Sequence, residues 1–283
     1  MSDTTLPAFE HIEFAIDDGV ATLTLNRPEA RNALSMPMRR DLDAALAILK
    51  ARAGDEVKAL ILTGAGGAFC AGGDVKAMHQ RSGAGDAFAA RERLREAHNR
   101  LLDLMNLEMP VIVAVDGAAA GAGFSLSLVG DFILASSRAF FAQSFVRIGL
   151  VPDWNGLFLL PRLVGLQKAK ELMFTGRRIG ATEAQELGLV HAVYPPEELM
   201  DAARDMARRF RDAPTRTIGL TKNILNQSLH LDPRAVLELE AFAQATARSS
   251  DYHKAAVRRF VEKQPALFDW DAADRRAAKG KSR

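Results

Sequence analysis

Apolar and polar residues alternate near the start of the chain, with Ile12, Phe14 and Ile16 before Asp17-Asp18-Gly19, and Val20 and the run Thr22-Leu23-Thr24-Leu25 after it. A period of two broken by Asp-Gly predicts a β-hairpin. Asn26-Arg27-Pro28 ends its second strand, and between 37 and 53 Leu42, Ala45, Leu46 and Leu49 recur at helical spacing. Short apolar runs at 59–63, 111–115 and 132–135 then alternate with long helical patterns. That alternation predicts an α/β fold whose parallel strands are covered by helices. From Pro195-Pro196-Glu197-Glu198 onward no strand pattern returns, and helices are expected near 218–229, 233–248 and 251–263. A strand-rich core over 1–200 and a helical region over 201–283 follow, the helical faces packing on the core or on another subunit.

Two strand ends run into clusters of very small residues. The segment 110–125 passes from Val111-Ile112-Val113-Ala114-Val115 through Asp116-Gly117-Ala118-Ala119-Ala120-Gly121-Ala122-Gly123 into Phe124-Ser125, and 59–76 passes from Leu60-Ile61-Leu62 through Gly64, Gly66, Gly67, Gly72 and Gly73. A helix start carries unpaired N–H donors and the positive end of the helix dipole, and Gly or Ala lets a ligand come close to them. Two such segments can each place one N–H on a single oxygen, the geometry of an oxyanion hole; both are equally readable as tight strand-to-helix turns. Asp74 is positioned to cap the helix that follows. The Gly/Ala-rich stretch 82–85 reads as a loop able to act as a lid.

Composition narrows the possibilities. The 283 residues are 48% hydrophobic and 25% charged, enough for a large core, and the formal net charge is only +2. Nucleic-acid binding has little support, since no basic stripe with interleaved aromatics occurs outside the tail. The single Cys70 excludes an intramolecular disulfide, and no Cys/His spacing suits a metal. The start lacks a signal-peptide pattern, and the most apolar stretch, 111–129, contains Asp116 and several glycines, so no membrane span is expected. A cytoplasmic location is therefore expected. The basic tail from about 271 is expected to be disordered.

Candidate chemistry is sparse. No GxxxxGK[ST], no helix-opening GxGxxG with a following acid and no nucleophile elbow is present, and Ser125 reads as a packing or hydrogen-bonding residue. Asp153 stands out in Gly149-Leu150-Val151-Pro152-Asp153-Trp154-Asn155-Gly156, where apolar neighbours would raise its proton affinity and make it a usable base or acid. It is equally placed to cap a helix starting near Asn155. Met36, Met38, Met105 and Met109 read as core filler.

The runs 25–34, 69–78, 116–123, 159–165, 174–177, 188–190 and 260–263 resemble, in order and spacing, the enoyl-CoA hydratase/isomerase family, the crotonase superfamily, over about residues 11–268. The resemblance implies a spiral of repeated ββα units, a helical C-terminal region forming a homotrimer or a dimer of trimers, and acyl-CoA thioester substrates. Coenzyme A would enter as part of the substrate, with no other cofactor, metal, nucleic acid or membrane partner. Position by position, the oxyanion-hole amides fall on Gly73 and Ala122. Ala71, Gly72, Asp74, Val75 and Lys76 would line the CoA path, Arg31 and Ala33 would touch its nucleotide, and Phe260 and Lys263 match a segment that can reach CoA bound to a neighbouring subunit. For Phe260, core packing is an equal expectation.

The chain departs from the hydratase pattern where it matters chemically. The two positions at which hydratases of the family carry glutamates hold Ser125 and Phe145, so two-carboxylate water addition is not expected, and Phe145 would dry the pocket. Asp153, followed by Leu159-Leu160-Pro161-Arg162, is similar to a site in isomerases of the family where the Asp shuttles a proton; a dehalogenase branch uses an Asp there as nucleophile. Isomerases commonly carry Gly or Ala after this Asp, whereas Trp154 is expected here to border the substrate. Double-bond isomerisation is the leading expectation. Hydratase, hydrolase or dehalogenase chemistry, or a degenerate CoA-binding homologue, are the alternatives.

Overall fold

The alternation at the start closes into hairpin β1 (Ile12–Asp17) and β2 (Val20–Leu25), joined by Asp18 and Gly19 at positive φ of 45° and 77°. Helix α1 (Met36–Arg52) begins where Ser35 accepts a hydrogen bond from the Met38 N–H at 3.3 Å, and it buries Met38, Leu42, Ala45, Leu46 and Leu49. The computed structural model describes residues 6–81 and 87–272. The expected lid at 82–85 and the tail beyond 272 lie outside the described residues.

After α1 the chain winds in successive turns, each laying one strand in a large sheet and then a short extended piece in a small one. The first turn comprises β3 (Ala59–Gly64), the stretch around Cys70 and α2 (Val75–Arg81); α3 (Ala87–Met105) leads to the second, β4 (Val111–Val115), β5 (Ala118–Ala120) and α4 (Ala122–Ser127). The third comprises β6 (Phe132–Ser136), β7 (Phe140–Ala142) and a 3-10 turn at Ser144–Ile148. Helices α5 (Gly156–Val164) and α6 (Leu166–Thr175), strand β8 (Ile179–Gly180), helix α7 (Ala181–Glu186) and strand β9 (Ala192–Tyr194) complete the winding. The large sheet has the order β1-β2-β3-β4-β6-β9, parallel except for β1 with β2, and the small sheet the order β5-β7-β8. Strands β5, β7, β8 and β9 are only two or three residues long, too short to show a period of two, and the sequence pattern did not reveal them.

Both faces of the large sheet are covered, and so its inner strands read as unbroken apolar runs. Leu60, Leu62, Val111, Val113 and Val115 pack into the main core with α1. On the opposite face Ala59, Ile61, Ile112 and Ala114 meet Leu199, Ala203, Met206 and Ala207 of α8 (Leu199–Arg209). Three further helices follow, α9 (Thr215–Ser228), α10 (Pro233–Ser249) and α11 (Asp251–Val261). Lys222 of α9 ties this region to the sheet, donating to Asp131 Oδ2 at 2.8 Å and to the Met109 carbonyl at 3.2 Å. Neither α10 nor α11 has a buried residue among those described, and Phe260 is 85% exposed, which overturns its expected core packing. An exposed aromatic on an unburied helix leaves its apolar surface free within one chain. Lys263, just beyond α11, is exposed as well.

The turn after β2 is pinned by a residue whose role the sequence pattern did not show. Asn32, fully buried at a φ of 57°, accepts from the Arg27 N–H at 2.8 Å through Oδ1 and donates from Nδ2 to the carbonyls of Ala65 and Ala68 at 2.9 and 2.7 Å. These bonds lock the 27–34 loop onto the small-residue loop after β3. Replacing Asn32 by Ala strands three backbone groups, one buried and two partly buried, and we expect a loss of roughly 3 kcal/mol in unfolding free energy, read as a lower urea midpoint. An unchanged midpoint would show that solvent satisfies those groups.

Candidate active site

The small-residue segments after β3 and β4 lie side by side. Cys70 pairs with Ala119 in parallel register: the Cys70 N–H donates to the Ala118 carbonyl at 2.9 Å and the Ala120 N–H to the Cys70 carbonyl at 3.0 Å. Three residues further along each segment stand Gly73 and Ala122. The approach there is so close that a Cβ on Gly72 would come 2.6 Å from the Ala120 carbonyl oxygen and 3.2 Å from the Ala122 nitrogen, while one on Gly123 would come 2.2 Å from the Cys70 carbonyl oxygen. Gly72 has a φ of 95°, which favours glycine in its own right. Ala122 is the first residue of α4, preceded by Gly121 at a φ of 52°. Neither the Gly73 N–H nor the Ala122 N–H has an acceptor among the described residues. Two unpaired amides on neighbouring turns can both donate to one negatively charged oxygen between them.

Beside this pair opens a cleft of about 750 Å³ whose lining includes Leu34, Met36, Arg39, Asp74, Met78, Arg93 and Asp153. Leu34 is bridged to Gly73, with the Leu34 N–H donating to the Gly72 carbonyl at 2.8 Å, so the amide pair and the cleft share a wall. Asp153 enters from the loop before α5. Its Oδ1 is buried with no hydrogen-bond partner among the described residues, and burial pushes the carboxyl up to about 6, partly offset by the Arg39 guanidinium. The expected helix cap does not form: Asn155, at a φ of 64°, occupies the cap position of α5 without a side-chain cap bond, and Asp153 contributes there only its carbonyl, which accepts from the Gly156 N–H. With Oδ1 left free of any structural bond among the described residues, the carboxyl can exchange a proton with a group in the cleft.

The other expected residues divide clearly. Asp74 lines the cleft, is held at 2.9 Å by Arg27 and caps α2 by accepting from the Ala77 N–H at 3.0 Å. Ala71, Gly72, Val75, Lys76, Arg31 and Ala33 are not in the cleft lining; Val75, Lys76 and Arg31 are exposed, Ala71 is partly buried, and Gly72 and Ala33 are buried. Trp154 does not border the cleft. It is 1% exposed and points into the core, because its φ of 52° turns it away from the side that Asp153 occupies. Phe145 is not in the lining either; it is buried against the Gly121 side of α4. Ser125 is fully buried and accepts from Gln143 Nε2 at 3.3 Å, the packing role expected of it. Met36 lines the cleft instead of filling the core, whereas Met38, Met105 and Met109 are buried as expected. Arg39 and Arg93 were missed, although Arg39 follows the buried Met38 on α1 and its charge next to an apolar helical face was the available signal. Cys70 is buried, its thiol donates to the Asn32 carbonyl at 3.1 Å, and burial pushes it up to about 12, so it has no thiolate character at neutral pH.

Wound turns, two sheets and paired amides define a crotonase fold. A solved enoyl-CoA hydratase/isomerase from Cupriavidus metallidurans CH34 superposes with a TM-score of 0.87 at 38% identity, covering 93% of this chain and 97% of its own. The chain belongs to the enoyl-CoA hydratase/isomerase family, whose model matches residues 15–271. It is 37% identical over 264 residues to the 1,2-epoxyphenylacetyl-CoA isomerase of Escherichia coli K12, covering 92% of this chain and 98% of that one. It is 36% identical over 247 residues to the short-chain-enoyl-CoA hydratase of Clostridium acetobutylicum, covering 87% and 92%. The family thus joins hydratases and isomerases at similar distance from this sequence, and the protein is an enzyme family member acting on acyl-CoA.

The raised carboxyl has a consequence for folding. Ionising Asp153 is harder in the folded chain than in the unfolded one, so its contribution favours folding when protonated and is lost as pH rises through about 6. Asp153→Asn removes that penalty. We expect the variant to be more stable than the parent at about pH 8, by on the order of 2 kcal/mol, and to lose most of that advantage by about pH 4, as read by thermal unfolding at the two pH values. Equal stability at both would mean the folded carboxyl ionises as it does in water.

Proposed function

We propose that the protein moves a carbon–carbon double bond within an enoyl-CoA thioester, with Asp153 as the proton carrier. The observation that supports this reading most directly is the carboxyl of Asp153, raised and with its Oδ1 unbonded in the cleft, while the two hydratase glutamate positions are filled by Ser125 and Phe145 outside it. In a 3-enoyl thioester the Asp153 carboxylate takes a proton from C2. The C–H electron pair moves through the C1–C2 bond onto the thioester oxygen, which the Gly73 and Ala122 amides hold as an enolate. Protonated Asp153 then gives its proton to C4, the enolate collapses, and the double bond lies between C2 and C3. No water is consumed and Asp153 ends as it began.

The thioester's CoA portion would run over Ala71, Gly72, Asp74, Val75 and Lys76 towards Arg31 and Ala33. The exposed apolar faces of α10 and α11, with Phe260 and Lys263, would be covered by neighbouring copies in a trimer or a dimer of trimers. The relative named an isomerase supports the reading, and the relative named a hydratase keeps water addition as the competing one.

Purified protein is mixed with a panel of 3-enoyl and ring-type acyl-CoA esters, and the conjugated thioester is followed by absorbance and mass. A product of unchanged mass is expected, kcat/KM falls as pH drops through about 6 because the base must be ionised, and Asp153→Asn lowers kcat by roughly 10²- to 10⁴-fold. A product heavier by one water, release of free CoA, or full activity in Asp153→Asn would refute the proposal.

A further inference from the structure

Three consecutive residues at the cleft serve different sides of the wall. Asp153 faces the cleft, Trp154 is buried behind it, and Asn155 starts α5; Trp154 and Asn155 both adopt left-handed backbone conformations, at φ of 52° and 64°. Such a conformation costs a non-glycine residue on the order of 1 kcal/mol or more. For the bulky indole of Trp154 it persists only if something repays the strain. Two guanidinium groups lie against the indole: the Arg39 Cζ is 5.2 Å from its ring centroid and the Arg100 Cζ 6.0 Å. Arg100 of α3 is itself clamped to Asp43 of α1 by two bonds of 2.6 and 2.5 Å. Arg39 lies four residues before Asp43 on the same helix and lines the cleft together with Asp153.

We propose that Trp154 and Arg39 form one positioning unit for the Asp153 carboxylate, the indole fixing the guanidinium at the wall of the cleft so that its positive charge stands against the acid. A glycine or alanine after the Asp offers no ring for this purpose. Desolvation alone would drive the carboxyl further towards the neutral form, and the Arg39 charge opposes it. Arginine suits the position because its planar guanidinium stacks on an aromatic face and stays charged when partly desolvated. Among the described residues the other charged groups lining the cleft are Asp74 at the start of α2, already paired with Arg27, and Arg93 from α3; Arg100, which also meets the indole, is paired with Asp43. Neither Trp154 nor Arg39 takes the proton. They act through Asp153.

This inference rests on Asp153 being the proton carrier, and the test separates the two. The ionisation of Asp153 is followed by ¹³C carboxyl NMR in the full chain, with Asp153→Asn identifying the signal, and in parallel by the pH profile of kcat/KM. In Arg39→Gln and Trp154→Leu the titration midpoint is expected to rise by about one pH unit, with the acidic limb of the kinetic profile moving with it. Trp154→Phe, which keeps a ring and a conservative volume, should move the midpoint less than Trp154→Leu, and Arg39→Lys should restore only part of the wild-type midpoint. KM for the acyl-CoA should change less than kcat at pH 6. Unmoved midpoints in Arg39→Gln and Trp154→Leu, both folded by circular dichroism, would overturn the positioning unit even if Asp153→Asn abolishes turnover. Conversely, a raised NMR midpoint in Arg39→Gln with no turnover of any ester by the parent supports the unit and removes the proposed reaction.

Discussion

The structure depends on one close contact, the parallel pairing of Cys70 with Ala119 between the first and second turns of the winding. Its two backbone bonds set the register, and the missing side chains of Gly72 and Gly123 let the strands continue past the point where any Cβ would strike a carbonyl. Register then carries Gly73 and Ala122 to matching positions three residues on. Each begins or precedes a helix, so each amide lacks an intrahelical partner. A shift of one residue in this pairing would leave the two donors on different oxygens. The same contact forms the wall of the cleft, because Leu34 is bridged to Gly73 from the other side.

The second constraint is the left-handed pair Trp154 and Asn155. A right-handed path from Val151 into α5 would leave the carboxyl and the indole on neighbouring positions of one surface. The observed turn sends the acid into the cleft and the ring into the core, where it is 1% exposed and meets both Arg39 and Arg100. The backbone strain and the unpartnered Asp153 oxygen occur at the same place, and both oppose folding. The main core, Asn32 and the Lys222 pair supply the stability that tolerates them. Strain and desolvation gathered at one carboxylate cost stability and, under the proposed function, serve the proton transfer.

Local pattern was a good guide where the signal was local. The hairpin turn needs only Asp18 and Gly19, the cap of α2 needs only Asp74 and Ala77, and the three long strands announce themselves by continuous apolar runs. Asp153 could be singled out from the apolar residues on either side of it. Strands β5, β7, β8 and β9 could not be seen, because two or three residues carry no period and their order comes from pairing with distant turns. Phe260 looked equally suited to a core or to an interface, since an amphipathic helix does not state what covers it.

By itself the sequence determined the α/β class, the two small-residue strand ends, the loss of the hydratase glutamates at Ser125 and Phe145, and one acid in apolar surroundings. The class, the strand ends and the acid follow from residue type and spacing along the chain; the glutamate positions follow from the resemblance to the family. Only the tertiary structure decided that the two strand ends meet in register, that Arg39 and Met36 join the cleft while Trp154 and Phe145 leave it, and that Asp153 is no helix cap. The physical reason is that each of these depends on backbone dihedrals and on contacts between residues tens of positions apart. Neither is written in local periodicity.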